Sequence, residues 1–150
     1  MTEILEKLKY KTEIKNLMDD GVVLPDLYEP KELIAFRWAF NDTSNSKNHI
    51  PVYKHTPERL IQNKKEKKTS TSGFALSCYD KEEEAERLYL IFFAKFKNFP
   101  KVAGNSMSKG VLQNEYGIIT TVCSKSRHFD LYEFYNFFAI DCFTITKKLI

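Results

Sequence analysis

The fold is decided by residues 68–96, KTSTSGFALSCYDKEEEAERLYLIFFAKF, which join a serine and threonine cluster to a strand pattern and a helix pattern. From Ser72 to Tyr79, apolar and small side chains alternate, with Phe74, Leu76 and Cys78 on one face. A period of two is typical of a half-buried strand. The other face carries only small residues, so either a packed element or a ligand could approach its backbone closely.

A helix is predicted directly after this strand. Asp80 has a side chain suited to the N-cap, and Glu83 stands where a capping box places its partner. The apolar residues that follow recur at helical spacing: Ala85, Leu88, Tyr89, Phe92 and Phe96. Further apolar residues widen this stripe, which predicts that the helix forms the centre of the core.

The other patterns complete one domain. They predict a helix at Glu3–Asp19, strands at Leu33–Phe40 and Ile50–His55, a polar loop at Val102–Gly110, and strands at Ile118–Cys123, Phe129–Tyr135 and Phe137–Thr146. A chain of 150 residues that is 43% hydrophobic can build one core. We therefore expect a single α+β domain over residues 1–150, with a mostly antiparallel sheet, as split sheets or a sandwich, and two main helices.

Composition also predicts the compartment. No apolar run approaches the ~20 residues of a membrane span, and no signal-peptide pattern opens the chain. Three scattered cysteines are typical of buried thiols in a reducing environment. We expect a cytoplasmic protein that has no membrane partner. Because no Cys or His spacing resembles a zinc site, no metal is expected.

The positive charge of the chain is concentrated in one segment. Residues 64–68 contain Lys64, Lys65, Lys67 and Lys68 with one glutamate, so their net charge equals the +3 of the whole chain. Such a segment is usually a mobile, solvated loop. Alternatively, the four lysines contact the phosphates of nucleic acid or of a nucleotide.

Arg37 is the first candidate binding residue. In the strand at Leu33–Phe40 it shares a face with Ala35 and Ala39, which leave space around its guanidinium group. The planar fork of that group can donate two parallel hydrogen bonds to a phosphate. An ordinary exposed or salt-bridged arginine is the alternative.

The strand at Phe129–Tyr135 carries further candidates. Alternation places Glu133 among apolar neighbours, where it must be paired, hydrogen-bonded or at the edge of a cleft, unless a bulge turns it to water. His128 and Asp130 lie on the opposite face, as a catalytic base with its carboxylate or as a structural pair. His49 and His55 stand in loops, where isolated histidines are mostly bystanders.

The order of these features resembles the Arg–Ser–Glu class of ADP-ribosyltransferases and NAD glycohydrolases. The resemblance implies that Arg37 holds the phosphates of NAD, that Ser70, Thr71 and Ser72 shape the nicotinamide pocket, and that Glu133 supports an oxocarbenium-like transition state. NAD would be the substrate, with a protein or nucleic acid as a possible acceptor. Such an enzyme would fit a bacterial or phage toxin or defence component.

One departure from the family pattern concerns the acceptor. Leu131 stands two residues before Glu133, where members that modify arginine usually have Glu or Gln. The resemblance therefore argues against arginine as the acceptor and leaves NAD hydrolysis or another acceptor open.

Two other classes of function remain open from the sequence. The first is a nucleic-acid-binding domain or a metal-independent ribonuclease, in which the lysines of residues 64–68 bind phosphates. His128, Asp130 and Tyr132 would then be its acid–base candidates. The second is a non-enzymatic interaction module, such as an immunity or inhibitor protein, because 12 Phe and 8 Tyr could supply an aromatic binding face.

Overall fold

Six strands form one antiparallel sheet in the computed structural model, which describes residues 2–150. The strands are β1 (Leu33–Ala39), β2 (Leu76–Tyr79), β3 (Ser106–Leu112), β4 (Gly117–Ile119), β5 (His128–Glu133) and β6 (Thr144–Lys148). Their order in the sheet is β4–β5–β2–β1–β3–β6, and each neighbouring pair is antiparallel. The predicted α+β class with an antiparallel sheet is confirmed, as a single sheet.

The helices lie around this sheet. They are α1 (Thr2–Lys7), α2 (Lys11–Asp19), α3 (Val52–His55), α4 (Pro57–Lys65), α5 (Glu82–Lys95), α6 (Phe99–Ala103) and α7 (Ala139–Cys142), and a 3₁₀ turn spans Thr71–Phe74. Within residues 2–150, none of these helices is both long enough and apolar enough to cross a membrane.

Both faces of the sheet are covered. One face packs on the segment that carries α7, and its buried side chains include Ala35, Leu76, Cys78, Phe129, Leu131, Phe137 and Phe143. On the other face, α1 and α2 cover β4 and β5, while α5 covers the middle strands. Side chains along β1, β2 and β5 point alternately to the two faces, so each face of the sheet carries its own apolar core.

The predicted helix at Glu3–Asp19 is two helices, because the chain between them pairs with the sheet. Leu8 forms an isolated bridge with Phe134, and the Lys9 amide donates to the Glu133 carbonyl oxygen at 2.9 Å. These bonds take the place of the helical ones at the break, so residues 8–10 extend the sheet beyond the end of β5.

The prediction that a strand begins at Ser72 is wrong by four residues. The Ser70 hydroxyl oxygen accepts from the Ser72 amide at 3.1 Å and caps the 3₁₀ turn. Side-chain capping of this kind competes with the extended backbone. β2 therefore starts at Leu76, and Phe74 packs in the core opposite to that of Leu76.

The helix α5 is not the centre of the core. It buries Ala85 and Tyr89, while Leu90, Ile91 and Phe96 are exposed. Its N-cap is Lys81 rather than Asp80, because both carboxylate oxygens of Asp80 accept from the Arg127 guanidinium, at 2.9 and 2.6 Å.

Three further segments differ from their predictions. The strand expected at Ile50–His55 is instead the short helix α3. The second half of the loop expected at Val102–Gly110 belongs to β3, a central strand of the sheet. The strand expected at Phe137–Thr146 is α7 followed by β6.

Candidate functional site

A cavity opens where the middle of the sheet separates. β1 and β2 are bridged only between Phe36 and Tyr79, so the residues beyond this pair have no partner across the gap. A cavity of about 360 Å³ lies there. Its polar lining consists of Arg37, Lys47, Asn48, His49, His55, Ser72, Ser77, Tyr79, His128 and Asp130.

Arg37 spans the separation between the two strands. Its Nε donates to His49 Nδ1 at 3.1 Å, and its Nη1 donates to the carbonyl oxygen of Ser77 at 2.5 Å. The guanidinium carbon lies 5.9 Å from the centre of the Phe143 ring. These two bonds use two of the five N–H donors of the guanidinium, the Cys78 thiol lies beside it, and Arg37 lines the cavity. The group is therefore held rigidly with donor capacity left for a ligand.

His49 holds the guanidinium group of Arg37 in place. Its ring stacks on Phe143, with centroids 5.3 Å apart, and its backbone has a φ of 56°. Burial, and then the Arg37 charge, lower the pKa of His49 to about 3. The ring is neutral at pH 7, and because Nδ1 accepts from Arg37 its proton is on Nε2. A neutral acceptor holds the guanidinium in place without cancelling its charge.

His128 is the best-placed proton acceptor of the cavity. The Ser77 hydroxyl lies 2.7 Å from His128 Nε2, and Asp130 Oδ1 lies 3.6 Å from the same nitrogen. The cross-strand pairs Ser77–Asp130 and Tyr79–His128 bring these side chains together. Burial, followed by the Arg37 charge, lowers the pKa of His128, which favours its neutral, basic form.

The same geometry argues against a serine nucleophile. In a catalytic Ser–His–Asp triad the carboxylate holds the imidazole nitrogen opposite to the one that faces the serine. Here Ser77 and Asp130 both approach Nε2 of His128. The arrangement suits proton transfer by His128 to or from a ligand better than activation of Ser77.

Two further titratable groups line this cavity. Burial raises the pKa of Asp130 to about 6. The pKa of His55 is lowered, mainly by burial and then by the charges of Lys47, Arg37 and Arg59. Its Nδ1 lies 2.7 Å from the Thr56 hydroxyl. The shift of Asp130 toward neutral pH is typical of acid–base sites, whereas the shift of His55 favours its neutral form.

Glu133 lies outside this cavity. It is 2% exposed, and its Oε2 accepts from Lys9 Nζ at 2.8 Å. Lys9 also donates to the Phe137 carbonyl oxygen at 2.5 Å and lies over the Phe138 ring. Burial raises the pKa of Glu133 in spite of Lys9. Its Oε1 is the one buried side-chain atom without a hydrogen-bond partner among the described residues.

The structure therefore divides the candidate residues into separate places. Arg37, Ser72 and His128 share the cavity. Thr71 is buried beside it, with its hydroxyl 2.8 Å from that of Tyr132. Ser70 and two of the four lysines line a second cleft.

The sequence interpretation missed His49 and His55. A lone histidine in a loop carries no periodic or spacing signal, so the sequence predicts neither of them as a site residue. Their place in the cavity depends on how residues 41–56 fold back over β1. The only available sequence signal was the polar character of that segment, which does not indicate a site.

Comparisons of the chain with protein-family models, with curated proteins and with solved structures found no match. Within residues 2–150, no three His, Cys, Asp or Glu side chains group in a way that could hold a metal ion.

Proposed function

We propose that this protein is a metal-independent ribonuclease that cleaves single-stranded RNA in the cytoplasm by acid–base chemistry. The supporting observation is that all three histidines of the chain line one cavity together with Arg37 and Lys47. A histidine pair that exchanges protons beside a bound phosphate is sufficient for RNA cleavage, because the nucleophile is the 2′-hydroxyl of the RNA itself.

The phosphate would bind between Arg37 and Lys47. Arg37 is held by two hydrogen bonds and retains further N–H donors for a phosphate oxygen. Fixed donors of this kind stabilise the charge that develops on the phosphoryl oxygens without having to reorganise. Trp38 also lines the cavity and is half-buried, so its ring could stack on a base.

His128 would act as the general base. The 2′-hydroxyl displaces the Ser77 hydroxyl from Nε2, which takes the proton of the 2′-hydroxyl, and the 2′-oxygen attacks the phosphorus atom. The bond from phosphorus to the 5′-oxygen breaks, and protonated His55 supplies a proton to that leaving oxygen. The products are a 2′,3′-cyclic phosphate and a 5′-hydroxyl end. The bound phosphodiester raises the pKa of His55 and so favours its protonated form.

The test is to incubate the protein with a labelled single-stranded RNA in EDTA, beside a DNA of the same sequence. We expect a 2′,3′-cyclic phosphate product from RNA and none from DNA, which lacks the 2′-hydroxyl. His128→Asn should lower the rate by ~10²–10⁴-fold, the usual worth of a positioned acid or base.

The matched control is Lys95→Asn at the exposed end of α5, which should leave the rate unchanged. Circular dichroism shows whether both variants are folded. Equal rates for wild type and His128→Asn, or cleavage of DNA at the same rate as RNA, would refute the proposal.

NAD hydrolysis or ADP-ribosyl transfer is the second candidate. Two observations favour it: Arg37 and Ser72 line the same cavity, and Glu133 is a buried carboxylate with one unpartnered oxygen. Because Glu133 lies outside that cavity, this function requires the segment around Lys9 to move and expose it.

Release of nicotinamide from NAD measures this second activity. If it occurs, Glu133→Gln should nearly abolish it, whereas His128→Asn should spare it. The two variants therefore separate the candidate functions in one experiment. Nicotinamide release at the same rate in wild type and Glu133→Gln would eliminate the NAD-using function.

A further inference from the structure

A second cleft, of about 520 Å³, lies between the C-terminal ends of α2 and α4. Lys64, Lys67, Thr69 and Ser70 line one side of it, and Asp20 lies on the α2 side. Two ammonium groups and two hydroxyls are donors that bind phosphate oxygens. The carboxylate of Asp20 bounds the cleft on its far side and limits where an anion can lie.

The cleft and the cavity meet at two hydroxyl groups. Ser70 lines the cleft, Ser72 lines the cavity, and their Oγ atoms are 2.9 Å apart. The Ser72 amide donates to Ser70 Oγ at 3.1 Å, which fixes the turn between the two residues. A nucleic-acid strand that leaves the cavity past Ser72 would therefore enter the cleft at Ser70.

The turn after α4 fixes the two cleft lysines. Lys67 has a φ of 55°, its amide donates to the Lys64 carbonyl oxygen at 3.3 Å, and the Lys68 amide donates to the Asn63 carbonyl oxygen at 3.0 Å. This pair of bonds is a Schellman cap with Lys67 at the position where glycine is favoured. A glycine would adopt the backbone conformation of Lys67 with less strain, so the cap does not explain why a lysine stands here. Its side chain is the part of this residue that can serve binding.

The charges of this segment are divided between the cleft and the solvent. Lys68 lies 2.9 Å from Glu66 in an exposed ion pair, and neither Lys65 nor Lys68 lines the cleft. Lys64 and Lys67 line it, and within residues 2–150 neither has a carboxylate partner within ion-pair distance. The segment that holds the whole net charge of the chain therefore directs two cations into the cleft.

We infer that the Lys64–Lys67 cleft binds the phosphates that neighbour the scissile one on the same RNA strand. This inference rests on the proposed ribonuclease function and names its substrate class: a single-stranded RNA several nucleotides long that runs over Ser70 and Ser72. A dinucleoside monophosphate contains only the scissile phosphate, so it has no neighbouring phosphate for the cleft to bind.

Binding is measured with a fluorescent 2′-O-methyl RNA of twelve nucleotides, which cannot be cleaved because its 2′-oxygen carries no proton. The wild-type affinity is followed over a series of salt concentrations. Lys64→Ser/Lys67→Ser should reduce the slope of log affinity against log salt by about 1.4, since each lost phosphate contact removes about 0.7.

The control is Lys65→Ser/Lys68→Ser, which removes the same charge from the same segment but from outside the cleft. Its slope should change by less than half as much. A third variant, Lys67→Gly, keeps the favoured backbone of the cap, so it should lower RNA affinity without lowering Tm. Equal slopes for the two double variants would overturn the inference, because the segment would then act only as a diffuse positive charge.

Cleavage separates this inference from the function on which it rests. With an unmodified 12-mer, Lys64→Ser/Lys67→Ser should lower kcat/KM by tenfold or more, while kcat/KM for a dinucleotide stays unchanged. If no variant cleaves RNA but only the cleft variant loses its salt slope, the ribonuclease proposal fails and the RNA-binding cleft stands. An equal loss on both substrates would overturn the cleft as a neighbouring-phosphate site.

Discussion

Arg37 and Glu133 are both buried ions, 8% and 2% exposed, and they differ in what covers them. Each follows a buried apolar residue by two positions, Ala35 and Leu131, so both leave their strands on the side of the same core. Arg37 retains N–H donors and lines a cavity, whereas the remaining acceptor of Glu133 is enclosed behind Lys9. Burial of a charge therefore does not by itself mark a site. What marks a site is unused hydrogen-bonding capacity that a ligand can reach.

The largest expected effect concerns the enclosed pair. Lys9→Met should lower the free energy of unfolding by about 3–5 kcal/mol, because it leaves the Glu133 carboxylate buried without a cation. Lys11→Met is the control, since its ion pair with Glu6 is exposed and is worth ~0–1 kcal/mol. Urea denaturation measures both. Lys9→Met/Glu133→Leu should regain most of the loss. If the double variant does not regain it, the ion pair of Lys9 and Glu133 is not what stabilises this part of the fold.

The next effect concerns the histidine that supports Arg37. His49 has a lowered pKa of about 3 in the folded state, so the unfolded chain binds its proton first as the pH falls below 6.5. Its contribution to stability is complete above pH 6.5 and is lost on acidification, at up to ~1.4 kcal/mol per pH unit. The stability of wild type should therefore fall by about 2.5 kcal/mol more than that of His49→Gln between pH 6 and pH 4. Parallel curves for the two proteins would show that His49 is not buried beside Arg37.

Asp130 should show the opposite sign. Its pKa is raised to about 6, so the folded state binds more protons than the unfolded state between pH 3.8 and 6, and stability falls as the pH rises through that window. Asp130→Asn should therefore be more stable than wild type by ~1–2 kcal/mol at pH 7, with little difference at pH 4. The exposed Asp26→Asn is the control. If Asp130→Asn gains stability but loses RNA cleavage, Asp130 differs from Glu133, because Glu133→Ala should only lower the stability. A loss of stability at pH 7 would contradict the burial of this carboxyl.

The smallest effect is expected at Ser77. If its hydroxyl only positions His128, Ser77→Ala should lower the cleavage rate by ~3–10-fold, the worth of one ordinary hydrogen bond. The exposed Ser124→Ala should have no effect. Single-turnover kinetics with labelled RNA give both values. A loss comparable to that of His128→Asn would mean that Ser77 takes part in the chemistry itself.

The sequence predicted those parts of the fold that local periodicity controls. β1 begins at the predicted Leu33 and ends one residue before the predicted Phe40. The apolar stripe of α5 was recognised correctly as helical. Which part of that stripe is covered was not predictable, because burial depends on contacts with distant segments, and Leu90 and Phe96 are exposed.

The candidate site was predicted less well, since its geometry depends on contacts between distant residues. Arg37 and His128 could be chosen from their neighbours on each strand. The ion pair of Glu133 with Lys9 joins the two ends of the chain, and the break between α1 and α2 that allows it has no local signal. His55 likewise reaches the cavity only because residues 41–56 fold back over β1, and secondary-structure propensities do not specify that path.

The single bridge between Phe36 and Tyr79 also has a mechanical consequence. It makes the sheet two three-stranded halves, β4–β5–β2 and β1–β3–β6, that share a seam with almost no backbone hydrogen bonds. Arg37 extends from one half to the Ser77 carbonyl of the other, so it acts as a latch across that seam. A small hinge rotation of one half against the other changes the width of the cavity while each half keeps its own ladder. We therefore expect access to the cavity to depend on the stiffness of the middle of the sheet, and amide exchange along residues 36–39 would report that motion directly.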